Sequence, residues 1–117
     1  MMDLTMSRDD FGRLICTARV DGQDAVVAAS DPAVAGVELL AAVADARDTG
    51  FGECFWLTEA GDYRWMFRRE GDRVTVVAVR SSGTVTGWQH LIHTETAFEP
   101  FAQHVISELA KACSSPV

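Results

Sequence analysis

Long apolar runs and paired cysteines are missing from this sequence of 117 residues. No stretch reaches the roughly 18 consecutive apolar residues that a membrane-spanning helix needs. The first ten residues hold three aspartates rather than the apolar segment of a signal peptide. The three cysteines, Cys16, Cys54 and Cys113, form no CxxC pair, unlike the disulfide framework of a small secreted domain. These absences predict a soluble, cytoplasmic protein without a membrane partner.

Asparagine is absent altogether, and no pattern typical of catalysis or metal binding is present. Cys54 could serve as a nucleophile only with a base and an orienting group, and beside the apolar residues 55–57 a thiol packs as a small hydrophobic group. His90 and His93 are three residues apart, which places them on one side of a helix but on opposite faces of a strand, and a strand is predicted there. We therefore expect no catalytic residue, no bound metal and no cofactor, and a protein that is not an enzyme.

Basic residues are scarce relative to acidic ones. The chain has 17 acidic and 10 basic residues, a net charge of −7, and is 48% hydrophobic, which is typical of one globular domain over residues 1–117. Residues 1–63 hold four arginines against twelve acids, a net −8. Because phosphates favour a basic surface, nucleic acid is not expected as a partner. Attraction at long range favours a basic protein instead.

Turn and capping patterns divide the start of the chain. Residues 7–10 place a serine three positions before an aspartate, a capping pattern that predicts a short opening helix. Alternating side chains predict a strand over residues 14–20. Asp21 and Gly22 then favour a tight hairpin turn, followed by a returning strand over residues 24–29.

A helix is predicted over Asp31–Arg47. Its first residue can accept hydrogen bonds from free backbone N–H groups, Pro32 suits the first helical position, and Gly50 favours its end. Glu38 is the only charged residue between positions 33 and 44, so this helix has almost no polar face. It is therefore either covered on both sides by its own fold or in contact with another chain.

The pattern over residues 53–80 predicts a three-stranded antiparallel meander, because turn signals at Gly61 and Gly71 separate segments of comparable length. The middle segment alternates aromatic rings, which we expect to point inward, with arginines that point outward; the rings are Tyr63, Trp65 and Phe67, and the arginines are Arg64 and Arg68. Since rings and guanidinium groups then lie on opposite faces, they do not form a stacking surface for nucleic acid. A last strand over 88–94 and a closing helix over Pro100–Ala112 follow.

Residues 52–56, Gly-Glu-Cys-Phe-Trp, and residues 61–74, Gly-Asp-Tyr-Arg-Trp-Met-Phe-Arg-Arg-Glu-Gly-Asp-Arg-Val, resemble a pattern of small acidic bacterial proteins, some of which resemble immunity proteins of polymorphic toxin systems. The resemblance covers about the last two thirds of the chain. It implies a short, acidic, cytoplasmic α+β domain that binds a toxin. The shared residues are turn glycines and core aromatics, so no functional residue is carried over.

Together these patterns predict an α+β fold: one antiparallel sheet of five or six strands with two main helices, Asp31–Arg47 and Pro100–Ala112, packed on its aromatic face. The expected function is that of a non-enzymatic binding protein, an immunity protein that neutralises a basic toxin domain. The candidate partner-contacting residues are Glu38, Trp56, Arg64, Arg68 and Trp88.

Two alternative functions stay open. The first is a homodimeric structural or regulatory module that uses the apolar Ala33–Ala44 part of the predicted helix as a self-complementary interface. The second is a small-ligand binder with a pocket between sheet and helices, lined by Cys54, Tyr63, Trp65 and His90.

Overall fold

The computed structural model describes residues 2–81 and 87–113 of the chain. Its elements follow one another as β1 (Met2–Arg8), β2 (Leu14–Val20), β3 (Gln23–Ala29), α1 (Pro32–Thr49), β4 (Phe51–Leu57), β5 (Asp62–Glu70), β6 (Arg73–Ser81), β7 (Gln89–Ala97) and α2 (Phe98–Cys113). Strands β1, β2 and β3 form a three-stranded sheet in that order, and β4, β5, β6 and β7 form a four-stranded sheet in that order. All neighbouring strands are antiparallel.

The α+β class is confirmed, but the single sheet of five or six strands is wrong, because the seven strands of the described ranges divide into two sheets. The short helix predicted from residues 7–10 is not formed: Ser7 and Arg8 end strand β1, and residues 9–13 make the turn that leads into β2. Leu4 and Met6 are buried while Thr5 and Ser7 are exposed. After this strand the Asp9 side chain accepts hydrogen bonds from the N–H groups of Phe11 and Arg13, at 3.0 and 2.9 Å, so the capping pattern stabilises a turn instead of a helix. With β1 beside it, the β2–β3 hairpin forms a sheet of its own.

Helix α1 begins and ends where its capping residues predict. The Asp31 side chain accepts a hydrogen bond from the N–H of Val34 at 3.2 Å. Gly50, with a φ of 90°, donates its N–H to the carbonyl of Ala46 at 3.0 Å. The Nε of Arg69 donates to the same carbonyl at 3.2 Å, which brings a positive charge to the negative end of the helix dipole. This contact ties α1 to strand β5.

The predicted meander is confirmed as β4, β5 and β6, and the rings of Tyr63, Trp65 and Phe67 are buried in the core. The Trp56 ring lies 5.6 Å from that of Trp65, Trp65 stacks on Phe67 at 6.0 Å, and Phe67 lies 5.6 Å from Phe101 of α2. Helix α1 packs against β4 and β5, whereas α2 lies mainly along β1. The prediction that both helices pack on the aromatic face is therefore confirmed for α1. For α2 it is confirmed only at the ring of Phe101.

Helix α2 covers the free edge of strand β1. The Oε1 of Glu108 accepts a hydrogen bond from the N–H of Met6 at 3.0 Å, and the Nε2 of His104 donates to the carbonyl of Leu4. Four residues of a helix advance by about 6 Å and two residues of a strand by about 6.6 Å, so the side chains match the spacing of the backbone groups. The helix thereby closes a strand edge that would otherwise be open to pairing.

Candidate functional site

The four-stranded sheet has one face that turns away from the core, and the alternation along each strand decides which side chains lie on it. Because Cys54 and Trp56 of β4 are buried, their neighbours on that strand point outward. We call this surface the outer face. It comprises Phe51, Phe55 and Leu57 of β4, Arg64, Met66 and Arg68 of β5, Val77 of β6, His90 and His93 of β7, and Trp88.

Phe55 is the centre of an ordered cluster on the outer face. Its ring centroid lies 6.5 Å from that of Trp88 and 5.7 Å from the guanidinium carbon of Arg64. Arg64 is held in turn by Glu53, whose Oε2 accepts from Nε at 2.9 Å. Phe55 and Trp88 are each still 43% exposed. The cluster therefore offers two aromatic surfaces whose positions are set before anything binds.

The structure brings together three of the five predicted contact residues. Arg64, Arg68 and Trp88 all lie on the outer face. Glu38 is exposed on α1, a helix on the opposite side of this sheet. The prediction that Trp56 contacts a partner is wrong, because this side chain is only 1% exposed. It is one of the alternate residues of β4 that point inward, and it packs in the core.

Sequence reasoning missed the three outward apolar residues of β4. Phe51, Phe55 and Leu57 are 45%, 43% and 60% exposed. The sequence did contain an indication of these exposed residues. Apart from Gly52 and Glu53, residues 51–57 are apolar, so a strand there carries apolar side chains on both of its faces. A strand that carries apolar side chains on both faces must leave one set exposed unless a second layer covers it.

The two histidines lie on the same face, so the prediction of opposite faces is wrong. In the β6–β7 pairing Ala78 lies opposite Ile92, but Val79 lies opposite His90, which makes Leu91 an extra residue. Such a β-bulge shifts the alternation of the strand and brings both His90 and His93 to the outer face. No group of three or more potential metal ligands occurs in the described part of the chain.

On β5 the predicted separation of rings and guanidinium groups is confirmed, but Phe55 of β4 and Trp88 bring other rings to the outer face beside Arg64. Of the two arginines on the outer face, Arg64 is paired with Glu53, so Arg68 is the one without an ion-pair partner within the described ranges. The surface therefore offers little free positive charge to a phosphate backbone. The prediction against nucleic acid rests on this charge balance and no longer on the alternation.

The residues expected to line a ligand pocket do not converge. Cys54, Tyr63 and Trp65 are buried in the core, while His90 is on the outer face. A different, open groove of about 510 Å³ lies elsewhere on the surface. It is lined by Phe11, Arg13, Ser30, Glu59 and Ala60.

The core cysteines are held as thiols. Burial, followed by the negative charges of Glu38 and Glu53, raises the pKa of Cys54 to about 12, and burial raises the pKa of Cys16 to about 12 as well. Because the thiolate is the reactive form, neither group is an activated nucleophile at neutral pH.

Thiol labelling tests this assignment. With a disulfide reagent at pH 8, we expect one fast-reacting thiol per native chain, the exposed Cys113, and three in denaturant. The Cys113→Ser variant should show no fast thiol while folded. Rapid labelling of that variant would contradict the protected state of Cys54 and Cys16.

No protein-family model matches the chain, and neither a curated protein nor a solved structure does. Among the helices of the described ranges, none is both long and apolar enough to cross a membrane. The resemblance to immunity proteins therefore stays a prediction.

Proposed function

We propose that this chain is a non-enzymatic binding protein that uses its outer face to hold another protein, as an immunity protein holds its toxin. The observation that carries the proposal is the exposure of Phe51, Phe55, Leu57 and Trp88, between 43% and 60% each, on the face of the sheet opposite helix α1. Exposed apolar patches of this kind mark interaction sites, and aromatic residues and arginine are the groups enriched at the centres of interfaces.

The order already present in the outer face favours tight binding. Association costs conformational entropy for each side chain that becomes fixed. Trp88, Phe55 and Arg64 contact one another in the free protein, and Glu53 orients the guanidinium group. Less freedom is therefore lost when a partner covers these groups.

The overall charge favours a basic partner. Six of the seventeen acidic side chains form an ion pair with an arginine or lysine within the described ranges, so a surplus of negative charge stays on the surface. Such a field speeds the encounter with a positively charged protein, while buried rings supply most of the affinity. A basic toxin domain fits this description.

Recovery of a partner from the native host at low salt, followed by affinity measurements with the purified pair, tests the proposal. We expect Phe55→Asp to weaken binding at least about tenfold, because it places an unpaired charge inside the interface. Val26→Asp is the matched control, since Val26 is 49% exposed on the other sheet. Equal affinities for the two variants would exclude the outer face, and recovery of no protein partner would overturn the proposal. A gene for a large protein with a small basic C-terminal domain beside this one would identify the partner.

A homodimer through α1 is the second candidate. Val34, Val37 and Leu40 lie on the solvent side of that helix and are 52%, 69% and 40% exposed. A second copy of the helix could cover these apolar side chains. Light scattering separates the candidates, because a particle of 12.7 kDa at every micromolar concentration excludes the dimer.

A further inference from the structure

The solvent side of α1 carries an apolar strip that we call the helix stripe: Val34, Val37, Leu40, Ala41 and Ala44, all exposed. The opposite side of the helix is buried against the sheet through other residues, among them Leu39 and Val43. A helix at the surface of a globular protein normally presents polar residues to water. The stripe is therefore an unusual surface, and it faces away from the outer face of the sheet.

Carboxylates border the helix stripe. Glu38 and Asp45 are seven residues apart, so at 100° per residue they lie about 20° from each other on one side of the stripe, and Asp48 lies at its C-terminal end. All three are exposed and have no ion-pair partner within the described ranges. The border is consequently anionic.

The one basic residue of α1 does not neutralise this border. Arg47 contacts Glu99 of α2 at 3.4 Å, and its guanidinium carbon lies 5.3 Å from the ring centroid of Phe98. Two copies of the stripe placed together would bring their carboxylates together without a compensating cation. Like charges at an interface disfavour such a pairing. A cationic partner would instead pair its positive groups with these carboxylates, so that both sets of charges are neutralised.

We infer that the helix stripe binds a basic amphipathic helix of a protein partner. Apolar side chains of that helix would pack on Val37 and Leu40, and the small Ala41 and Ala44 would let the two backbones approach closely. Lysines or arginines flanking the apolar face of the partner helix would meet Glu38, Asp45 and Asp48. The inference rests on the proposed function only in taking the partner to be a basic protein; the surface is a second one.

Two synthetic 18-residue helical peptides serve as probes for the full chain, one of leucines on one face and lysines on the other, and one with glutamates in place of the lysines. We expect the lysine peptide to bind in a saturable manner, measured by fluorescence anisotropy, and the glutamate peptide not to bind. Binding should weaken as salt is raised. Glu38→Lys combined with Asp45→Lys should weaken it at least about tenfold and flatten the salt dependence.

Val37→Asp is the decisive variant. It makes the surface more acidic, so attraction by charge alone would strengthen peptide binding, whereas loss of an apolar contact at the stripe should weaken it about tenfold. Val37 is 69% exposed, and an unchanged unfolding transition will show that the variant is folded. Val26→Asp adds the same charge on β3 and should bind like wild type.

Undiminished binding to Val37→Asp, equal binding of the glutamate peptide, or no saturable binding at all would overturn the inference. A wild-type dimer that Val37→Asp dissociates would overturn it too, because a second copy would then occupy the stripe. A different result would contradict the proposed function, namely full affinity of Phe55→Asp for the native partner. Phe55→Asp should bind the lysine peptide like wild type, whether or not the outer face binds the native partner.

Discussion

Replacement of Gly52 by alanine is expected to lower the free energy of unfolding by about 3 kcal/mol, the upper end of the cost of overpacking a core. A Cβ atom on Gly52 would overlap the carbonyl oxygen of Ala42 and lie 2.7 Å from its carbonyl carbon. Those atoms belong to the backbone of α1, so no side-chain rotation relieves the clash. The whole helix must move away from β4, and urea denaturation measures the loss.

Gly36→Ala is the matched control, because Gly36 is also buried yet has room for a methyl group. Its nearest neighbours would be the Cδ2 of Leu109 at 3.8 Å and the Sγ of Cys113 at 4.0 Å, which are ordinary contacts. Since glycine is less favourable than alanine inside a helix by about 1 kcal/mol, this substitution should stabilise the protein. A neutral Gly52→Ala variant would show that α1 does not approach β4 as closely as described.

Glu108→Ala should cost about 2–3 kcal/mol, because it leaves the buried N–H of Met6 without its acceptor and exposes the edge of β1. The Oε1 of Glu108 receives that N–H at 3.0 Å, and its Oε2 receives the ammonium of Lys111 at 3.1 Å. Glu108→Gln keeps an amide oxygen for Met6 and should cost less. Urea denaturation at pH 7 ranks the two variants, and equal losses would mean that the hydrogen bond does not matter.

The stabilisation by Glu108 should depend on pH. Burial by itself raises the pKa of this carboxyl group, but hydrogen bonds from Met6 and Lys111 outweigh it, and the folded pKa is lower than the ordinary value. A lowered folded pKa means that the stabilisation is complete above the unfolded pKa, about 4.3. It is lost as the pH falls from there through the folded pKa.

Unfolding free energies at several pH values between 7 and 3 test this dependence. The stability difference between wild type and Glu108→Gln should be constant from pH 7 to about 5, because the carboxyl group is ionised in both states there, and should shrink below about pH 4. Contributions from groups that do not interact with Glu108 cancel in the difference. A difference that does not change with pH would contradict the lowered pKa.

Elements that depend on neighbouring residues were predictable. The hairpin between β2 and β3 turns at Asp21 and Gly22, with φ angles of 52° and 81°, because such a turn needs residues that tolerate positive φ. The caps of α1 and the inward rings of β5 follow from equally short patterns. Turn chemistry and side-chain alternation act over a few residues, so they can be read without knowledge of the rest of the chain.

The candidate site was only partly predictable. Arg64, Arg68 and Trp88 were expected to contact a partner. Trp56 and Phe55 are neighbours on β4 and therefore point to opposite faces of the sheet. Which of the two is buried depends on the face that α1 covers, and only the tertiary structure shows that face. The bulge at Leu91, which unites the two histidines on one face, leaves no signature in the hydrophobic pattern. Both features depend on how a strand is paired and covered.

Local order therefore came from the amino-acid sequence: strand periods, turns, helix caps and an acidic balance, each set by residues close together in the chain. The division into two sheets, the closure of the β1 edge by Glu108 across 102 positions and the two uncovered apolar surfaces came from long-range packing. Burial depends on which elements meet, and residues far apart in the chain compete for the same core. The surfaces that we propose for binding consist of the apolar groups that this competition left outside.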